Sequence, residues 1–111
     1  MKVEFFKHNI GKEELEGIRR VFNSPFLTTG KAVDRFEADL ANYLGTDLAV
    51  GLTSCTGALH LALIAAGVKR GDEVITTPMS FVATSNAIMM AGAKPVFVDV
   101  EKETGNINAN L

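Results

Sequence analysis

From residue 46 onward, short apolar runs alternate with longer helical patterns, and this alternation constrains the fold more than any other feature of the chain. Leu48-Ala49-Val50-Gly51-Leu52 has the length and composition of a strand buried on both faces, and Thr53-Ser54-Cys55 after it is a polar junction. Thr56–Ala66 reads as a helix stopped by Gly67, followed by the turn Val68-Lys69-Arg70-Gly71-Asp72 and a second strand over Glu73–Thr77. Ser80–Ala91 repeats the helix, stopped by Gly92, and Pro95–Asp99 repeats the strand around Val96-Phe97-Val98. Strand, helix, strand, helix, strand with short joints predicts an α/β chain in which right-handed crossover helices link parallel strands.

Residues 1–45 keep a different rhythm. Leu15, Ile18, Val21 and Phe22 recur at helical spacing within Gly11–Asn23, and Val33, Phe36, Leu40, Tyr43 and Leu44 do so within Ala32–Leu44. Gly45 stands where a left-handed helix cap belongs. Ser24-Pro25-Phe26-Leu27-Thr28-Thr29-Gly30 between them is loop chemistry, because Pro25 pushes Ser24 out of the helical region and Gly30 is free to take a positive φ. The expected organisation is therefore 1–45, helices and a loop, and 46–111, the strands and their helices. The chain's 111 residues suffice for one core. Three predicted strands are nevertheless too few to cover such a sheet, and Ala109-Asn110-Leu111 after the loop Glu101–Asn108 looks like a first turn cut short. The expectation is an amino-terminal portion of a longer, truncated protein.

Charge excludes several classes of partner. Eleven Lys and Arg stand against thirteen Asp and Glu, a net charge of −2, and no block of like sign occurs. Neither a nucleic-acid groove nor an anionic membrane surface is expected without a concentrated basic face. The apolar stretches are too short for a membrane span, and Lys2, Glu4, Lys7 and His8 interrupt the start before a signal-peptide core can form. Cys55, the one cysteine, has no internal disulfide partner, so a cytoplasmic location is expected. No His, Cys, Asp or Glu cluster has metal-ligand spacing.

Ligands of open parallel α/β sheets bind beyond the carboxyl ends of the strands, and two junctions of this kind carry the chemistry. In Leu52-Thr53-Ser54-Cys55-Thr56-Gly57-Ala58 the small side chains let an anion approach the N–H groups of a first helical turn, with the positive end of the helix dipole behind them. The competing reading is that Thr53, Ser54 or Thr56 only caps the helix. No Walker-type run and no Gly-x-Gly-x-x-Gly is present as a rival phosphate motif. The second junction is Thr76-Thr77-Pro78-Met79-Ser80-Phe81-Val82-Ala83-Thr84, where Ser80 can cap the next helix and Phe81 opens it. A planar aromatic beside a phosphate cradle suits stacking on a planar cofactor, although an early-helix Phe such as Phe81, taken alone, is usually core. A Cys55–His60 dyad and a ligand role for Asp99 are the weaker readings.

These same residues resemble the DegT/DnrJ/EryC1/StrS aminotransferases. Pro25-Phe26-Leu27-Thr28-Thr29-Gly30, Leu52–Leu63, Gly71–Pro78, Ser80–Thr84 and Gly92–Val100 look like successive signatures of that family, in order and over essentially the whole chain. The resemblance implies the first part of the large domain of a fold type I transferase that depends on pyridoxal phosphate. It also implies a homodimer that moves an amino group, typically from glutamate, onto a nucleotide-linked keto sugar. Ser54, Cys55, Thr56 and Gly57 would then hold the cofactor phosphate, Phe81 would stack on its ring, and Phe26, Leu27, Thr28 and Thr29 would line the substrate entrance. Lys31 departs from a common proline and Cys55 from a common glycine. The Schiff-base lysine of the family lies further downstream, and neither Lys94 nor Lys102 stands in its motif. No catalytic residue is therefore assigned here, and the chain alone is expected to be silent. A non-catalytic relative that binds cofactor, sugar nucleotide or a regulatory partner is the alternative.

Overall fold

The computed structural model describes residues 2–4 and 6–111. Its elements run α1 (Lys12–Phe22), α2 (Lys31–Leu44), α3 (Cys55–Ala65), β1 (Glu73–Thr76), α4 (Ala83–Met90) and β2 (Lys94–Phe97). They fall into two compact units, Met1–Gly51 and Leu52–Leu111.

In the first unit, α1 and α2 form where the apolar spacing placed helices. Glu14 Oε2 accepts the Gly11 N–H at 2.7 Å and ties off the start of α1. The end of α2 is a Schellman turn: Gly45 is left-handed at φ 66°, and the Thr46 N–H reaches back to the Ala41 carbonyl at 3.0 Å. Gly30 overturns one expectation. It caps α2 with an extended backbone, φ −168°, so no positive φ is needed. A side chain there would meet the Phe26 carbonyl at 3.4 Å, so the glycine serves close approach of the loop to the helix start.

The second unit carries the sheet. β1 and β2 pair in parallel with Glu73 opposite Lys94 and Thr76 opposite Phe97, and α4 crosses between them. Helix α3 packs on α4, and α4 covers both strands. Both helices end in the same way as α2: Val68 N–H to Leu63 carbonyl, 3.0 Å, and Ala93 N–H to Ile88 carbonyl, 3.2 Å. The core is small and consists of Ala87, Ile88, Ala91 and Ala93, with Thr76 beneath them. Helix α3 is apolar on every side, yet Leu61 and Ile64 remain about half exposed, at 50% and 48%.

Two expectations on this half need correction. Leu48–Leu52 forms no strand and pairs with no ladder among the described residues; Gly51 donates its N–H to Glu37 Oε1 at 2.7 Å instead. A strand requires a neighbour to complete its hydrogen bonds, and the sheet has two strands where three were expected. Helix α4 begins at Ala83 and not at Ser80, so Phe81 precedes the helix and Ser80 does not cap it. The loop Glu101–Asn108 is held by an antiparallel bridge between Val100 and Ile107.

Candidate functional site

The start of α3 is built by Ser54. Its backbone is extended, φ −159° and ψ 152°, and its Oγ accepts the Gly57 N–H at 3.0 Å, while its carbonyl accepts Ala58 N–H at 3.0 Å. The capping reading is therefore correct for Ser54, and it does not exclude the anion-binding one. A hydroxyl that accepts through a lone pair still has its own proton to donate. The N–H groups of Cys55 and Thr56 have no acceptor among the described residues. Thr56 is half-buried and Cys55 exposed. No acidic side chain occupies the first turn of α3. In α1, by contrast, Glu13 and Glu14 already neutralise the helix start. Gly57 is needed for space: a Cβ on it would stand 3.2 Å from Ser54 Oγ.

The second junction presents Phe81. The residue is 78% exposed and lines a cleft of about 210 Å³ together with Thr77, Ser80, Thr84 and Phe97. Thr77 Oγ1 accepts Met79 N–H at 3.1 Å, and the Phe81 carbonyl accepts Thr84 N–H at 3.0 Å. Phe81 is thus not part of the small core of this unit.

Both junctions lie at one end of the layer. Helix α4 leaves the carboxyl end of β1 through residues 77–82 and returns to the amino end of β2. The turn after α4 touches the turn after α3, since a Cβ at Gly92 would lie 3.5 Å from Arg70 Cα, and Lys94 N–H donates to the Asp72 carbonyl at 2.9 Å. Two packed helices whose C-terminal turns adjoin present their N-termini at the opposite end, here the carboxyl end of the strands. Sequence reasoning placed ligands at that end, and Ser54, Cys55, Thr56, Gly57 and Phe81 all gather there.

The other assigned residues lie in the first unit. Phe26 and Leu27 line a cavity of about 700 Å³ together with Arg20, Val21, Lys31 and Val33; Thr28 and Thr29 do not line it. Arg20 is a lining residue that the sequence did not single out, because its helical spacing reads as an ordinary solvated face. Cys55 and His60 are five residues apart on α3, about 140° around the helix, so they form no dyad. Asp99 Oδ1 accepts its neighbour's N–H, from Val100 at 2.8 Å, which is a turn role. Among the described residues no group of three metal-ligating side chains occurs, and no helix is long and apolar enough to cross a membrane.

The second unit thus sets a helix start with no acidic residue, and an exposed aromatic, at the carboxyl ends of parallel strands. The sequence matches the DegT/DnrJ/EryC1/StrS aminotransferase family over residues 8–111, and the chain belongs to that family. It is 48% identical over 103 residues to the uncharacterised protein MJ1066 of Methanocaldococcus jannaschii, covering 93% of this chain and 27% of that one. It is 46% identical over 99 residues to the spore coat polysaccharide biosynthesis protein SpsC of Bacillus subtilis, covering 89% and 25%. The fold superposes with a TM-score of 0.92 on Spr1654 of Streptococcus pneumoniae, described as a sugar aminotransferase and solved in its PLP form. That match has 32% identity and covers 99% of this chain and 28% of the other. The chain thus spans about a quarter of the length of the curated relatives it matches.

Proposed function

We propose that this chain supplies the phosphate grip and ring support of an aminotransferase that uses pyridoxal phosphate and acts on a nucleotide-linked keto sugar. The observation that carries this reading is the start of α3, where the Cys55 and Thr56 N–H groups have no acceptor among the described residues, the first turn holds no carboxylate, and Phe81 stands at the same end of the layer. A phosphate dianion fits that donor set. Ser54 fixes the turn by accepting the Gly57 N–H and keeps a hydroxyl proton to donate, Gly57 keeps the approach clear, and Phe81 limits where a planar ring can lie. When bound, the cofactor supplies the electron sink for amino-group transfer.

The cavity at Phe26 and Leu27 has an apolar wall with Arg20 and Lys31 on it, chemistry that suits the base and diphosphate of a sugar nucleotide. Thr28 and Thr29 follow on the same loop without lining the cavity, and their proposed role is at the substrate entrance. Glutamate is the proposed amino donor, a second copy of the chain the proposed partner, and the cytoplasm the proposed location.

The chain alone holds the cofactor without turning over. Lys94 begins β2, at the far end of the strands from the site, and is paired with Glu73 Oε1 at 2.8 Å. That hydrogen bond and charge raise its pKa, the wrong direction for an amine nucleophile. Lys102 lies in the exposed turn after β2.

The test is an absorbance titration of the chain with pyridoxal phosphate, followed by borohydride reduction. Saturable binding is expected, with no single lysine fixed by reduction, and Phe81→Ala weakens it about two- to tenfold through the lost stacking. Absence of saturable binding refutes the grip. One lysine reduced stoichiometrically refutes the claim that the Schiff-base residue is missing.

A further inference from the structure

Phe81 poses a mechanical problem. Phe81 is 78% exposed, so little packing holds its side chain and its direction depends on its own backbone. That backbone belongs to no helix or strand, because α4 starts two residues later. What surrounds Phe81 is a set of short polar bonds. Ser80 Oγ and Thr84 Oγ1 lie 3.0 Å apart and share a hydrogen bond that spans Phe81, Val82 and Ala83. Beneath it the Phe81 carbonyl accepts Thr84 N–H at 3.0 Å, and Ser85 Oγ donates to the Val82 carbonyl at 3.1 Å. Thr84 is half-buried and β-branched, so its rotamer is restricted and its hydroxyl is a fixed anchor for Ser80.

We infer that Thr84 and Ser80 are positioning residues, a hydroxyl clasp that sets the direction of Phe81 before any planar ligand arrives. The inference rests on the reading of Phe81 as a ring support and goes beyond it by naming what fixes that support. Without the clasp, the turn samples other backbone states, and ligand binding must order it again. The clasp differs from a helix cap, since neither hydroxyl accepts from a backbone N–H of the first turn of α4.

The experiment compares Thr84→Val, which keeps the shape and removes the hydroxyl, Ser80→Ala, the double variant, and Thr84→Ser, which restores the hydroxyl. Two readouts are taken: deuterium exchange across residues 79–84 without ligand, and the affinity for pyridoxal phosphate by absorbance. Thr84→Val and Ser80→Ala should each raise exchange and weaken binding about fivefold, the worth of one net hydrogen bond. The double variant should match either single one, because both remove the same bond. Thr84→Ser should recover the parent values. Effects of the two single variants that multiply overturn the clasp, as does raised exchange with unchanged affinity, or unchanged exchange in both variants. If the parent chain takes up no pyridoxal phosphate, the Phe81 reading fails on its own, and the exchange arm still decides whether the hydroxyl bond orders the turn.

Discussion

Replacing Ser54 by aspartate separates two roles that the native side chain combines. Ser54 Oγ accepts the Gly57 N–H at 3.0 Å and thereby caps α3. Aspartate caps about as well as serine, and its charge gains roughly 0.3–1 kcal/mol from the helix dipole. No acidic residue in the first turn of α3 offsets that gain by repulsion. Thermal stability should therefore hold or rise. An anion at the Cys55 and Thr56 N–H groups faces the opposite consequence. At about 5 Å, each pair of negative charges repels by about 1 kcal/mol in a water-like dielectric and about 3 kcal/mol at an effective value near 20. Affinity for pyridoxal phosphate should fall at least about tenfold for a dianion, and the loss should shrink in high salt. The assay is a thermal melt and an absorbance titration on one sample, with inorganic phosphate as competitor. Ser54→Ala is the control, losing about 1 kcal/mol of helix stability with the cap. An aspartate variant that keeps its melting temperature and binds within twofold of the parent would refute the anion site and leave Ser54 as a cap alone.

Gly57→Ala should be nearly neutral in stability: alanine gains about 1 kcal/mol of helix propensity, and displacement of Ser54 Oγ from 3.2 Å loses a cap of about the same worth. The same substitution should weaken phosphate competition, and a melt paired with a phosphate titration checks both. Two exposed pairs give opposite pH trends. The Gly11 N–H lowers the Glu14 pKa, so this contribution is complete above the usual glutamate range and is lost on acidification through the lowered value. Glu73 raises the Lys94 pKa, so that contribution is complete below about pH 10.4 and is lost as pH climbs through the raised value. Melting series on Glu14→Gln and Glu73→Gln in low and high salt test these trends, and each variant should flatten only its own limb. The exposed faces of α3 predict concentration-dependent melting of the chain, checked by sedimentation alongside the melts.

What the sequence made legible follows the range of the interactions. Helices α1 to α3 were readable to within a residue at either end because their hydrogen bonds are internal, and the stops of α2, α3 and α4 were readable because Gly45, Gly67 and Gly92 all take a left-handed conformation. The Ser54 junction was readable for the same reason, since the cap and the free donors lie within four residues. Leu48–Leu52 was misread because a strand is defined by a partner, and an apolar run of five carries no information about whether one is present. The start of α4 was placed three residues early because Ser80 is a common cap residue, whereas its hydroxyl bonds the Thr84 side chain instead. Phe26, Leu27, Thr28 and Thr29 were grouped by the family resemblance of their loop, and of the four the first two line the cavity.

The site and its support are therefore stabilised by different means. Each functional element is closed by local bonds: the Ser54 cap, the Schellman turns, and the clasp around Phe81. The layer that carries them is a two-stranded sheet whose buried set contains no apolar side chain larger than Ile88. Two strands with so little apolar cover are marginal in water. A helix apolar on all sides, as α3 is, belongs in an interior. Local bonds determine where the donors and the ring point, whereas burial determines how long that arrangement persists. Covering α3 should accordingly slow the opening of the site more than it changes the site's geometry, so the direction of the Cys55 and Thr56 donors is a property of the chain and their residence time is a property of whatever packs on it.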